Sequence, residues 1–566
     1  MCSIIGGYNI NHINTDYKDF INNSFELMRH RGPDYENITR INSYLTFGHQ
    51  RLSIIDLSSK SNQPIINKNS FLTYNGEIFN YKNLFKNYFK KSAKSISDSL
   101  LLSKLLQKEG IGCLNELNGM FAFAYYNGDE LFLVRDRFGI KPLYYTVVED
   151  IVFFSSEFKC LIEQIRQITL DINFEKEYLK YTATDFNENT PIKEIKQVPA
   201  GHYLKISNKK IEKIKWYQFS DSIYNKKFFL NKNKKEILDE FENLLIDSIK
   251  LRLLSDVPIC MTLSGGIDSS LIYTLIKERL NKEIKVFSFA HPTKETDESE
   301  IVKLLTKEYK DDIQFISQKN KFELDEIYDL NRILDYPSWG FDGLAFNQVY
   351  KAIKKQGYTV VIEGHGADEM FGGYPYMIEP LIIKYLFKFK LKSFFKILYD
   401  YNETFEKSQQ NKTFVYTIIK LILKRIIKPE SRNFRKNIEF SFEHTILPIV
   451  LRTFDRITMK NSIENRCPYL DFRIVEFSRN MPDYFVYNSI GTKSILRMIL
   501  KKYNKEFVYK IKRKLGFSID IKSFIINSNN SNKLNQFLES ERLNSVNPYE
   551  SIKKLNLKIL KEIYGK

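Results

Sequence analysis

The sequence predicts a chain of two architectures, α+β at the front and α/β behind, on three observations. The first 200 residues alternate short β-rich apolar runs with turns, and two helical stretches sit between them. From Glu236 onward, long helix-like segments alternate with short apolar strands, the order that builds a parallel sheet with crossover helices. Between the two patterns, residues 205–235 are polar and lysine-rich and read as a linker.

Among the early strands, FAFAYYNGDELFLVRD (121–136) and IVFFSSEF (151–158) are apolar runs of sheet composition. The helical stretches fall near 15–30 and 98–109, and two domains are expected, at 2–210 and 236–566. In the second, VPICMTL (257–263), KVFSFA (285–290) and TVVIEG (359–364) are the strands. A basic insert at about 377–436 interrupts it: between Lys384 and Lys436, 14 Lys and Arg face 4 Asp and Glu. Its segments LIIKYLFKFKLKSFFKILYDY (381–401) and FVYTIIKLILKRIIKP (414–429) have helical spacing with lysines on one side. Two readings stand: a solvated helical hairpin packed on the second domain, or an amphipathic surface making weak peripheral contact with an anionic membrane. There is no internal repeat.

With 43% apolar and 14% aromatic residues in 566, global disorder is excluded. No apolar run reaches about 18 residues without a charge, so no transmembrane helix is expected. MCSIIGGYNI lacks the basic and long apolar regions of a signal peptide. Five cysteines, odd in number and far apart, argue against a disulfide scaffold or a zinc ribbon and for a cytoplasmic location. The net charge of +18 favours anionic partners. Nucleic acid is not expected, since no helix–turn–helix, zinc finger or RNP motif accompanies the charge.

Cys2 follows the initiator Met, so removal of Met1 would put a thiol and an α-amine on one residue, a compact nucleophile–base pair. RHRGPD (29–34) is a Gly-Pro turn with three basic side chains, and RDRFGIKPLYY (135–145) is a strand–turn–strand. GHQRLSIID (48–56) is a strand carrying Arg51, a fork for a carboxylate. In YNGEIFN (74–80), Asn75 and Gly76 read either as a hairpin turn or as oxyanion donors. In ISDSLLL (96–102), Asp98 stands at a helix start, where capping is the plain reading. In this order and spacing the motifs resemble a class II glutamine amidotransferase, an N-terminal-nucleophile glutaminase, over about residues 2–200. The resemblance implies an αββα sandwich in which Cys2 attacks the glutamine amide and forms a thioester. It also implies that Asn75 and Gly76 hold the oxyanion, Arg51 binds the α-carboxylate, and Glu77 and Asp98 bind the α-amine.

LSGGIDSS (263–270) follows a strand and opens a helix; its exposed N–H groups suit a phosphate, and it is not a Walker A loop. Asp268 is a candidate magnesium ligand. EGHGADEMFGGY (363–374) is a second glycine-rich turn after a strand, with Asp368 as a second candidate ligand. LRTFDRITMKNSIENRCPYLD (451–471) and KIKRKLGF (510–517) follow. There Lys514 reads as a pyrophosphate contact or as part of a solvated face.

These elements resemble the synthetase domain of the glutamine-hydrolysing asparagine synthetase family, and with the first motifs the whole chain resembles that family. The resemblance implies a Rossmann-like parallel-sheet domain with a largely helical C-terminal part. It implies that ATP adenylates a carboxylate and that ammonia, crossing inside the protein, displaces AMP. Leu263, Ser264, Gly265, Gly266, Asp268, Ser269, Ser270, His291, Glu363, Gly364 and Lys514 would contact ATP. Asp268 and Asp368 would hold Mg²⁺, and a homodimer is compatible with it. One position departs: where asparagine-forming members read S-G-E-G, this chain reads Glu363-Gly364-His365-Gly366. His365 therefore marks a candidate acceptor site, with aspartate or another carboxylate such as a sugar uronic acid as substrate. A non-enzymatic membrane-surface scaffold with decayed motifs is disfavoured by the intact Cys2, Arg51, Asn75 and Asp98.

Overall fold

The computed structural model describes residues 2–90, 96–182, 184–185, 187–207, 210–219, 222–290, 298–317, 324–402, 433–511 and 548–565. The front half is built on two antiparallel sheets. One contains β1 (Ser3–Asn9), β2 (Tyr35–Asn42), β3 (Leu45–Arg51), β8 (Tyr144–Val148), β9 (Ile151–Ser155) and β10 (Ile195–Gln197), ordered β10-β8-β9-β1-β3-β2. The other contains β4 (Ile65–Asn67), β5 (Ser70–Ile78), β6 (Gly119–Tyr126), β7 (Leu131–Arg135), β11 (His202–Ser207) and β12 (Lys210–Lys215), ordered β12-β11-β7-β6-β5-β4. Strand alternation assigns each face. Ala122, Ala124 and Tyr126 of β6 meet Ile4 and Tyr8 of β1 between the sheets. Phe121, Phe123 and Tyr125 face outward to the helices Tyr81–Phe89 and Asp98–Glu109. The helix Lys18–Met28 covers the outer face of the first sheet, completing four αββα layers.

Two local expectations are corrected. The stretch read as a linker from 205 contains the end of β11, all of β12 and the short helix Lys226–Leu230. β12 is an edge strand that exposes Lys210, Lys213 and Lys215, and edge lysines discourage further pairing. That same polarity resembles a linker in sequence. Asn75 and Gly76 are not in a turn: both lie inside β5, paired with Ala122 and Phe121.

The second half has a parallel sheet of β13 (Ile259–Thr262), β14 (Lys285–Ala290), β15 (Ile313–Ser317), β16 (Val360–Ile362) and β17 (Glu464–Arg466), ordered β15-β14-β13-β16-β17. The order reverses between β13 and β16, and the crevice beyond the carboxyl ends of such neighbours is where open α/β sheets bind ligands. The segment 381–401 is not one helix: Pro375–Phe387 and Leu391–Tyr401 are separated by a turn in which Phe389 has φ of 52°. Phe394, Ile397, Leu398 and Tyr401 bury this hairpin against the second domain's core. The segment 414–429 lies outside the described residues.

A buried ionic seam joins the halves. Arg31 Nη1 bonds Glu157 and the second half's Asp455, both at 2.9 Å. Arg456 pairs with Glu157 at 2.8 Å and with Asp335 at 3.2 Å. Lys159 pairs with the same two carboxylates at 2.6 and 3.5 Å. Burial opposes ionisation of Glu157, but Arg456, Lys159 and His30 together outweigh it and hold the carboxyl well below its usual range. Burial likewise opposes Asp455, and Arg31 and Lys141 lower it. For Asp335 burial wins over Lys159 and Arg456, and its carboxyl is raised. Glu157 and Asp455 therefore stabilise the fold fully above the ordinary carboxylate range, near pH 4, and progressively less as pH falls through their depressed values. Arg456→Ala leaves two carboxylates short of a partner and should cost about 3–5 kcal/mol in urea unfolding. A loss within experimental error of zero would show that the seam does not hold the halves.

Candidate active site

The front-half residues singled out in the sequence converge on the start of β1. The Cys2 main-chain nitrogen donates to Asn75 Oδ1 at 3.1 Å. That bond orients the amide and leaves Asn75 Nδ2 buried without a hydrogen-bond partner. Gly76 has φ of +154°, and a Cβ there would lie 2.1 Å from the Met120 carbonyl, so β6 packs against the backbone only because no side chain intervenes. Burial pushes the Cys2 thiol above its usual value, against the chain amine, the Leu52 main chain and Arg51.

The charges around the thiol are unbalanced in two places. Arg51, buried at the end of β3, donates to Ser58 O at 2.9 Å, Asn62 Oδ1 at 2.7 Å and Asp56 O, none of them a carboxylate. Glu77, which also acts on the thiol, and Asp98 are both buried. Burial raises Glu77 far above the usual range, with Asp98 and Glu464 adding to the effect and Arg466 opposing it. Burial also raises Asp98, against hydrogen bonds from Tyr74, Ile78 and Ser99. A cation without a carboxylate contact and a crowded carboxylate pair, both acting near one thiol, are complementary to an amino-acid zwitterion. Asp98 does not cap its helix. Ser97 Oγ accepts from Leu100 N at 3.3 Å, and the Asp98 carboxylate turns to Tyr74 Oη at 2.7 Å and Ile78 N at 3.1 Å.

The second centre lies at the β13/β16 crevice. Leu263 leads from β13 into the loop, where Ser264 Oγ lies 3.0 Å from Ser269 Oγ and accepts from Gly266 N at 3.2 Å. Gly265 takes φ of +83°, and Gly266 caps the helix Ile267–Glu278. Ser270 Oγ is buried without a hydrogen-bond partner. The β16 loop packs directly on this turn: a Cβ on Gly364 would sit 3.2 Å from Asp268 Cβ, and one on Gly373 only 1.6 Å from Asp368 Oδ1. Asp268 and Asp368 are brought together by Lys493, whose Nζ lies 2.5 Å from one and 2.7 Å from the other. Burial opposes the Lys493 charge, but the two carboxylates raise its ammonium above the ordinary value. Tyr469 of the PYLD element donates to the Asp268 carbonyl at 3.0 Å. His291 and Lys514 lie outside the described residues.

Sequence reasoning missed Lys493, whose signal was a lysine between Gly491 and Ser494 at a helix start; its φ of 55° is a left-handed backbone rare for lysine. It also missed the surroundings of Glu363. That carboxylate accepts from Thr262 at 2.7 Å, Tyr350 at 2.9 Å, Asn465 at 2.5 Å and His365 Nε2 at 3.0 Å. Burial opposes its ionisation, and His365 with the Thr262 and Tyr350 hydrogen bonds holds it below its usual range. An ionised carboxylate only accepts, so the hydrogen between the pair sits on His365 Nε2. The His365 ring lies on Phe454, centroids 3.8 Å apart. The Glu363 N–H donates to Arg466 O at 3.0 Å and continues the β16–β17 pairing.

The class this chain falls in is that of the glutamine-hydrolysing ligases, with one candidate centre in each half. The profile of the asparagine synthase family matches residues 240–555, and that of a glutamine amidotransferase domain matches residues 1–217. The chain belongs to the asparagine synthase family, whose members use ATP, and its activity is glutamine-dependent and asparagine synthetase-like. Glutamine-hydrolysing asparagine synthetase 1 of Bacillus subtilis is 27% identical over 599 residues, covering 96% of this chain and 90% of its own. Asparagine synthetase B of Escherichia coli is 29% identical, covering 66% and 65%. A Penicillium rubens protein named amidase chyE is 25% identical, covering 88% and 84%. A solved structure of an allosteric regulatory enzyme of purine biosynthesis overlaps 56% of this chain and 80% of its own at 13% identity, with a TM-score of 0.30, too slight a likeness to bear on the fold.

The contact at Gly373 makes a specific demand. Gly373→Ala must displace Asp368. Ligase turnover should fall about 10²-fold with glutamine or ammonia as donor, while glutamine hydrolysis keeps its wild-type rate. Unchanged ligation would show that the position of Asp368 is immaterial.

Proposed function

We propose that the chain forms a carboxamide from glutamine, ATP and a carboxylic acid, with the aspartate side chain as leading acceptor. The observation that carries the first half-reaction is the buried, unpartnered Asn75 Nδ2 beside the thiol. Leaving such a donor unsatisfied costs about 1–3 kcal/mol, an expense a purely structural asparagine would avoid. In this reading, removal of Met1 frees the Cys2 amine, which takes the thiol proton. Sγ then attacks the glutamine amide carbon, Asn75 Nδ2 and the Gly76 N–H stabilise the oxyanion, the amine returns the proton to the nitrogen that departs as ammonia, and water hydrolyses the thioester to release glutamate. Arg51 would hold the α-carboxylate, and Glu77 and Asp98 the α-amine.

Ammonia must reach the second centre unprotonated. Leu52, Ile54, Phe79 and Met120 form an apolar cluster with Val360 and Met459 of the other half, which supports an internal route. At the crevice, the acceptor carboxylate would attack the α-phosphorus of ATP and expel pyrophosphate. The N–H groups of the Ser264–Gly266 turn and the Lys493 ammonium suit the phosphates. Asp268 and Asp368 would hold Mg²⁺, since both carboxylates reach one cation position already filled by an ammonium. Among the described residues no group of three or more metal-ligating side chains exists, so phosphate oxygens and water would complete the shell. When bound, the ion neutralises phosphate charge. Ammonia then attacks the acyl carbon, a proton leaves the nitrogen, and AMP departs.

A second reading keeps this chemistry and changes the acceptor. With His365 Nε2 committed to Glu363, Nδ1 is the nitrogen left for an acceptor, and it offers no fixed negative charge to an amino-acid ammonium. A sugar uronic acid has no ammonium to recognise.

Cys2→Ala should abolish glutamine use and leave ammonia-dependent ligation intact; loss of both would end the two-centre reading. Asn75→Ala should lower the kcat of glutamine hydrolysis about 10²–10³-fold with little change in KM. AMP release measured with aspartate and with nucleotide-linked uronic acids separates the acceptors. Efficient aspartate turnover rejects the sugar reading, and turnover of a uronic acid alone rejects aspartate.

A further inference from the structure

The helical hairpin that follows the β16 loop ends in a tip of unusual composition. Phe387, Lys388, Phe389, Lys390, Leu391 and Lys392 are consecutive and all exposed. Phe389 is 87% exposed and Leu391 53%, and one turn further Phe395 is 60% exposed. The inner face of the same hairpin is already committed, with Phe394, Ile397, Leu398 and Tyr401 in the core. The outward apolar side chains are therefore not a misplaced core face. Bulky apolar groups gathered on a protruding tip mark an interaction surface.

The lysines decide the partner. Lys384 pairs with Asp483 at 3.2 Å and Lys396 with Asp400 at 2.5 Å. Lys388, Lys390 and Lys392, alternating with the apolar residues, have no carboxylate partner among the described residues. A second copy of the chain would bring the same cationic tip and a net charge of +18, so like charge opposes self-pairing. An anionic bilayer answers both features. Its headgroups pair with lysines, and its headgroup–acyl boundary takes aromatic and leucine side chains while lysine stems extend outward. Among the described residues no helix is long and apolar enough to cross a membrane, so contact would be with the surface.

We propose that the 387–395 tip docks the enzyme reversibly onto anionic lipid, with Phe389, Leu391 and Phe395 entering the boundary and Lys388, Lys390 and Lys392 binding headgroups. The test is co-sedimentation of the full chain with vesicles of phosphatidylglycerol and phosphatidylcholine in equal parts, against pure phosphatidylcholine, at low and high salt. The wild type should bind the anionic vesicles at low salt. Pure phosphatidylcholine or high salt should each lower the partition coefficient at least about tenfold. The double variant Phe389→Ser/Leu391→Ser and the triple variant Lys388→Ala/Lys390→Ala/Lys392→Ala should each lose at least about tenfold in partitioning and keep wild-type glutamine hydrolysis. Absence of binding at low salt overturns the proposal, as does wild-type binding by either variant. Sedimentation without vesicles that the double variant abolishes would assign the tip to self-association instead, and salt-sensitive binding to RNA but not to vesicles would assign it to nucleic acid.

Discussion

The buried ion seam around Arg31 is the constraint on which both reaction centres rest. Charges removed from water are tolerated only in well-paired arrangements, so each member has little freedom to move. Arg31 Nε lies 3.4 Å from the Cys2 carbonyl, and the same guanidinium grips Asp455 on the helix Ile446–Lys460. Phe454, one residue before Asp455, supports the His365 ring. Cys2 of one half and the His365 turn of the other are thus referenced to the same helix. Breaking one pair in such a seam strands its partner, so the halves are poor candidates for exchange with those of distant relatives.

β17 makes a second link by the simplest property of a strand, its alternation. Glu464 and Arg466 project to one side, where Arg466 reaches Glu77 at 3.5 Å. Asn465 projects to the other, where it donates to Glu363. Two neighbouring residues of one strand therefore touch Glu77 in one half and the buried carboxylate beside His365 in the other. On the proposed reading, an α-amine bound at Glu77 would change the charge balance that Arg466 experiences, and the strand carrying it also carries a partner of Glu363.

What could be read from sequence followed from apolar content. β6, β9, β13, β14 and β16 stood out as runs of buried side chains, and the helix at 98–109 by its spacing. β17 did not, because its three residues are polar and charged and their burial depends on partners from distant segments. β12 was hidden by its lysines. The motifs singled out Cys2, Asn75, Arg51, Asp268 and Asp368 because each sits in a distinctive local pattern. Lys493 has no such pattern: a lone lysine in a short loop gains meaning only when folding sets it between two aspartates from separate turns. Glu363 likewise read as backbone lining a nucleotide, since nothing local announces that Thr262, Tyr350, Asn465 and His365 all converge on its carboxylate. At Asp98 and Ser97 the plain rule for helix starts was right about the position and wrong about the residue by one.

All five cysteines are free and buried, and with Met1 still attached burial raises the Cys2 thiol above its usual value. Oxidants attack the thiolate far faster than the thiol and need access to it. Before Met1 is removed, Cys2 is therefore poorly placed to react with them. Many enzymes that depend on a cysteine keep it ionised and are inactivated when peroxide rises. Here, on the proposed reading, loss of Met1 would open the sulfur to oxidants at the same moment as to glutamine.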